Sequence, residues 1–96
     1  MKLFKADSID SLITRVEGKD LEMAIEIYKN VARGYKRKYK KVSVFDVALP
    51  NGDVMSFEIE KHEWPKALTT CIEVLAENDM FEECIEAKKI LDELAK

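Results

Sequence analysis

The only histidine, His62, stands beside Glu63 and Trp64, and the only cysteines are Cys71 and Cys84. An imidazole next to a carboxylate can move a proton, and a thiol can attack an electrophile, but each needs a second group within hydrogen-bond reach. No spacing in the chain supplies that group, so His62 reads as a capping or surface residue and Cys71 as a thiol without a base. The two cysteines lack CxxC spacing and read as reduced core thiols in a chain of cytosolic appearance. With His62 they would give three zinc ligands and need a fourth. Asn51-Gly52 has neither the Gly-rich spacing nor the following helix of a phosphate loop. The expectation is a protein that is not an enzyme, with no metal and no cofactor.

Charge is the feature that points to function. Residues 29–41 hold Lys29, Arg33, Lys36, Arg37, Lys38, Lys40 and Lys41 and no acid, whereas from Glu58 onward eleven acids face five bases. The net charge of −3 hides this segregation. Lys29, Arg33, Lys36, Arg37 and Lys40 fall on one side of a helix at three- and four-residue spacing. Like charges so placed destabilise a helix by a few tenths of a kcal/mol per pair, so something must offset them. The helix dipole favours cations in the last turns. The Glu82, Glu86 and Glu93 face of the last helix could neutralise them within the chain. An acidic protein or a nucleic-acid backbone could do so from outside.

These groups sit on elements organised around a β-hairpin, Val42 to Glu60. Pro50 suits the second position of a type I turn and Gly52 the left-handed residue that closes it. With Pro50-Asn51-Gly52 as a three-residue loop, Leu49 lies opposite Asp53, Val47 opposite Met55, Phe45 opposite Phe57 and Ser43 opposite Ile59. That register predicts a buried face of Phe45, Val47, Leu49, Met55, Phe57 and Ile59. The other face, largely wet, carries Val42, Val44, Asp46, Ala48, Val54, Ser56, Glu58 and Glu60. A lone hairpin is marginal in water, so its apolar face must lie on helices.

Four helices are predicted. The first starts at Asp7 or Ser8, carries Ile9, Leu12, Ile13 and Val16, and ends at Gly18. The second runs from its N-cap Asp20 to about Tyr39. Its apolar stripe is Leu21, Ala24, Ile25, Tyr28, Ala32, Tyr35 and Tyr39, widened by Ile27 and Val31. Gly34 within it implies close packing or a bend. The third starts at or just before Pro65, buries Trp64, Leu68, Cys71, Ile72, Leu75 and Val74, and ends at Asn78. Asp79 and Glu82 form a capping-box-like start to the fourth, whose buried face is Phe81, Cys84, Ile85, Ala87, Leu91 and Leu94. Residues 1–5 are compatible with a short third strand or a loose end.

The stretch Ala76 to Leu94 resembles the UVR motif, a helical hairpin found in nucleotide-excision repair proteins and some regulatory proteins. Phe81-Glu82, the small Cys84, Leu91 and Leu94 agree with it. Ile85, Lys88 and Lys89 depart, standing where Ala, Arg and Asp are usual. The resemblance covers about a fifth of the chain and implies protein–protein contact, with no functional residue carried over.

The whole is an α+β fold and a single domain over residues 1–96, a two-stranded antiparallel hairpin packed on four helices in the order αα-ββ-αα. Ninety-six residues can remove roughly 60 to 65% of their unfolded surface from water. No apolar run approaches the ~20 residues of a membrane span, and the opening residues lack a signal peptide's apolar core. A cytoplasmic location and no membrane partner are expected. The function expected is that of a small interaction protein, an adaptor, regulator or inhibitor. It would bind another protein through Lys29, Arg33, Lys36, Arg37, Lys40 and Lys41 and through Glu82, Glu86 and Glu93. The alternative is a nucleic-acid-binding or regulatory domain using the same bases on phosphates. A homodimer through the second and third helices stays open, because a small domain gains buried area by association.

Overall fold

The computed structural model describes residues 3–5, 7–8, 10 and 20–95. The first predicted helix cannot be compared, since Ile9, Leu12, Ile13, Val16 and Gly18 lie outside the described residues. The described elements run β1 (Leu3–Lys5), α1 (Leu21–Arg37), β2 (Lys41–Ala48), β3 (Val54–Glu60), a 3₁₀ turn (Lys61–Glu63), α2 (Trp64–Glu77) and α3 (Phe81–Leu94). The fold is α+β, with one three-stranded mixed sheet in the order β1-β2-β3 and three helices among the described residues. The two-stranded hairpin is extended by the N-terminal edge strand that the sequence left open: residues 3–5 pair with β2, and in parallel, with Phe4 beside Val47. A parallel neighbour needs a long crossover, which here includes the whole of α1.

The hairpin loop forms as its residues dictate. Gly52 has φ 90°, its N–H donates to the Leu49 carbonyl at 3.0 Å, and the Leu49 N–H donates to the Asp53 carbonyl at 2.8 Å. Asn51 Oδ1 accepts from the Asp53 N–H at 3.0 Å, which locks the turn. Val47 opposes Met55 and Phe45 opposes Phe57 as expected, but Ser43 opposes Glu58 rather than Ile59. A β-bulge between Ser43 and Phe45 shifts the register by one residue. Beyond a bulge the side-chain alternation inverts. Val42 therefore pairs with Ile59 and is buried, as is Val44, which corrects their assignment to the wet face. The outer face is left with Lys41, Ser43, Asp46, Ser56, Glu58 and Glu60, and Ser56 Oγ donates to Asp46 Oδ1 across it at 2.7 Å.

Asn30 answers the bulge from α1. It is the buried polar residue of the core, and its Nδ2 donates to the Val44 carbonyl at 2.9 Å and to the Glu26 carbonyl at 2.9 Å. Its Oδ1 accepts from the Arg33 guanidinium. A carbonyl that the extra residue has pulled out of the ladder thus keeps a partner inside the core.

Helix α1 is covered on most of its circumference by β2 and α2, with a lighter contact to α3. Asp20 caps it by accepting from the Met23 N–H at 3.1 Å. It stops at Arg37 and not at Tyr39, because Lys38 turns left-handed (φ 61°) and the Tyr39 N–H returns to the Gly34 carbonyl at 2.9 Å. Tyr39, expected in the core stripe, is 44% exposed. Of the apolar arc that suggested a dimer, Ala24, Tyr28, Val31 and Ala32 are buried within one chain, as are Met23 and Gly34, whereas Leu21, Ile25, Ile27 and Tyr35 are half-buried. Gly34 marks close packing: a Cβ there would overlap Val42 Cγ1 and lie 3.2 Å from the Trp64 ring.

Trp64 is fully buried and its indole N–H donates to the Ile59 carbonyl at 3.1 Å, pinning the start of α2 to the end of β3. At the next joint Asp79 adopts φ 58° and closes α2, while Met80 is the N-cap of α3 with no side-chain cap. Asp79 and Glu82 therefore do not form the predicted box. Phe81 and Ile85 are 59% and 66% exposed, and Ile90 takes the buried place assigned to them. No described helix is long and apolar enough to cross a membrane.

Candidate functional site

The exposed strip that α1 keeps is the basic one. Lys29, Arg33, Lys36 and Arg37 are exposed on it, spaced so that they line one side. They border a groove of about 360 Å³ whose floor is Tyr28 and Ala32 and whose far wall is Glu86 of α3. Lys36 Nζ lies 3.6 Å from Glu86 Oε1. Arg33 is held by Asn30, and Arg37 reaches the Tyr39 hydroxyl at 3.5 Å. Among the described residues, then, one of the four cations meets an acid. Exposed pairs of this kind contribute at most about 1 kcal/mol, so the groove stays electropositive.

Lys40 and Lys41, counted with this face from sequence, are not on it. The left-handed Lys38 ends the helix before them, and Lys41 opens β2, 3.8 Å from Glu58 on the neighbouring strand. Of the three acids proposed on the last helix, the structure brings Glu86 to the bases; Glu82 and Glu93 are exposed on α3.

Tyr28 belongs to the site and was read only as core. Its phenol is pushed up from 10.0 to about 12 by burial first, and next by the nearby Glu86 and Glu83 carboxylates. A hydroxyl at the polar end of a buried ring was the available signal. The native state holds this proton more tightly than the unfolded chain, so the associated stability is complete below pH 10 and is lost as pH rises towards 12. Comparison with Tyr28→Phe isolates the effect. The stability difference between the two proteins, from urea midpoints, should be constant from neutral pH to ~9 and shrink above 10, by a total of about 2 kcal/mol. A difference that stays flat to pH 12 would contradict the raised phenol, whose first cause is burial.

The residues that suggested chemistry are dispersed. Cys71 is buried, its Sγ–H donating to the Ala24 carbonyl at 3.4 Å, and burial pushes its thiol up to about 12. It is a protonated thiol at neutral pH and a poor nucleophile. Cys84 is buried against the Ile72 carbonyl. His62 is exposed and its Nδ1 lies 3.4 Å from Glu60 Oε2. Glu60, His62 and Glu63 place one ligand atom each within 4.8 Å of one another, and neither cysteine joins them. The three groups that the sequence offered as an incomplete zinc set, both cysteines and His62, are therefore not brought together. A second cleft, of about 470 Å³, opens between α1 and α2 over Met23, Ile27, Ala67, Cys71 and Val74; it is apolar, with Asp20, His62, Glu63 and Lys66 at its rim.

Comparison with protein-family models, with curated proteins and with solved structures finds no match to this chain. The site is therefore read from its own geometry.

Proposed function

We propose that this is a small non-enzymatic interaction protein, an adaptor, regulator or inhibitor, whose basic groove takes an acidic segment of another protein. The observation that carries the reading is the groove itself: Lys29, Arg33, Lys36 and Arg37 converge on an apolar and phenolic floor, with Glu86 as the acid in its lining. Four cations around an apolar floor suit a carboxylate-rich segment that also offers an apolar or aromatic anchor. Arg33 and Arg37 can each meet a carboxylate with two parallel hydrogen bonds. The likeness of residues 76–94 to the UVR hairpin supports protein contact on the same side of the reading.

The test uses immobilised protein and nuclease-treated lysate at ~150 mM salt, with labelled single- and double-stranded oligonucleotides measured by anisotropy in parallel. An acidic protein retained by the wild type and lost, by tenfold or more, on Arg33→Glu/Arg37→Glu supports the proposal. Oligonucleotide binding that survives at ~150 mM salt and vanishes in the same variant would replace it with phosphate recognition. Identical capture by both proteins would remove the groove from consideration.

A further inference from the structure

Strand β3 is an edge of the sheet, and its outer side is unoccupied among the described residues. Antiparallel neighbours alternate between residues that bond their partner strand and residues whose N–H and C=O point away from it. The Leu49 N–H to Asp53 carbonyl bond and the Lys61 N–H to Lys40 carbonyl bond fix that alternation at both ends of the strand. Met55, Phe57 and Ile59 therefore bond β2, while Val54, Ser56, Glu58 and Glu60 turn their main-chain groups outward. The Glu60 N–H is taken by Glu63 Oε1 at 3.3 Å, which closes the edge at that end and confirms its direction. Among the described residues, Val54, Ser56 and Glu58 remain as a free docking edge.

Edge strands in isolated domains are blunted by charged side chains, lysine above all, by proline or by a bulge. Strand β3 has no lysine or proline, its charges are Glu58 and Glu60 at one end, and the bulge lies on the inner strand. Its core-side residues are also incompletely covered: Met55 is 38% exposed, and Phe57 and Ile59 are half-buried. An aromatic ladder crosses the sheet and stops there. Phe4 meets Phe45 edge-to-face at 5.1 Å, and Phe45 stacks on Phe57 at 5.2 Å.

We propose that the β3 edge pairs antiparallel with β3 of a second copy of this chain, about a two-fold axis at Phe57, to give a continuous six-stranded sheet. In that register Phe57 meets Phe57 of the second copy, and Met55 meets Ile59, apolar against apolar on one face. On the other face Ser56 meets Glu58 and Val54 meets Glu60, so no acid opposes an acid. An axis at Glu58 would set that carboxylate against itself. The two Ser56–Glu58 pairs each exchange two main-chain hydrogen bonds, and the aromatic ladder becomes continuous through both copies. A single strand edge lies at the low end of specific interface areas, below about 1,200 Å², so the association expected is micromolar. This surface is separate from the basic groove and does not depend on the reading given to it.

Analytical ultracentrifugation from ~1 μM to ~1 mM tests the proposal. The wild type should pass from the 11.1 kDa monomer to twice that mass. Ser56→Pro removes an outward N–H that a monomer does not use, and proline is tolerated on such an edge. That variant should remain monomeric throughout, with a urea midpoint lowered only by the loss of the exposed Ser56–Asp46 hydrogen bond. Ser56→Lys places an amine opposite Glu58 of the second copy, twice per dimer, and should tighten association several-fold; Ser56→Glu should weaken it tenfold or more. The lysine and glutamate variants decide the matter even if the proline variant fails to fold. A wild type that stays monomeric over the whole range, or a dimer equally strong in the lysine and glutamate variants, overturns the proposal.

Discussion

Gly34→Ala should lower stability by roughly 1–3 kcal/mol, although alanine in place of glycine at an open helical position raises it by about 1 kcal/mol. The added methyl group has no room. It would overlap Val42 Cγ1, and the Trp64 ring stands 3.2 Å away. Val42 is buried, and its branched side chain has few rotamers to escape into. Trp64 is fixed by its hydrogen bond to the Ile59 carbonyl. The relief is equally specific: Val42→Ala creates a small cavity of its own, but combined with Gly34→Ala it should recover much of the loss. A double-mutant cycle from urea denaturation should give a coupling of about 1 kcal/mol or more. Additive effects would mean that α1 and β2 do not approach as closely as described.

Asn30→Ala should cost about 2–4 kcal/mol, more than its small volume change implies. Asn30 donates to two carbonyls, and the Val44 carbonyl is buried where the bulge has taken it out of the ladder. A buried acceptor left without a donor costs the desolvation of that group, about 1–3 kcal/mol, beyond the lost hydrogen bonds. Asn30→Leu should do no better, because filling the space leaves the carbonyl orphaned. Asn30→Asp should be as damaging, since a carboxylate has no donor to offer Val44. Chemical denaturation of the three variants checks the order; a leucine variant as stable as the wild type would show that the bulge finds its partner elsewhere.

The hairpin was legible because its information is local. Pro50 and Gly52 each satisfy one backbone requirement, and three residues of loop fix the pairing that follows. The bulge had a local signal that the assumed register overrode: Ser43 and Asp46 stand three apart, so both can face water only if the alternation slips between them, at Val44-Phe45. A second marker is Asn30, a polar residue on the buried side of α1. Strand β1 is too short for periodicity to register.

Part of the basic surface could be read directly. Lys29, Arg33, Lys36 and Arg37 follow helical spacing, and they do share one strip. The helix end could not be placed, because lysine carries no signal for the left-handed turn that Lys38 makes, and Lys40 and Lys41 were lost with it. On α3 apolar residues occupy more than half the circumference, so sequence alone could not tell that Phe81 and Ile85 face water while Ile90 is buried. Nor could it separate Glu86, which meets Lys36, from Glu82 and Glu93.

The parallel pairing of β1 with β2 bears on the order in which the chain can assemble as it is synthesised. The β2–β3 hairpin and the α2–α3 pair join segments adjacent in sequence and can close as soon as they emerge. Strand β1 is made before its partner and stays unpaired until the whole of α1 and then β2 have followed. Contacts of such separation are slow to form because the intervening chain must be ordered before they are rewarded. Phe4 is buried in the finished core and would wait in water, or on a chaperone, through that interval. Strand β1 is thus made before the strand that secures it.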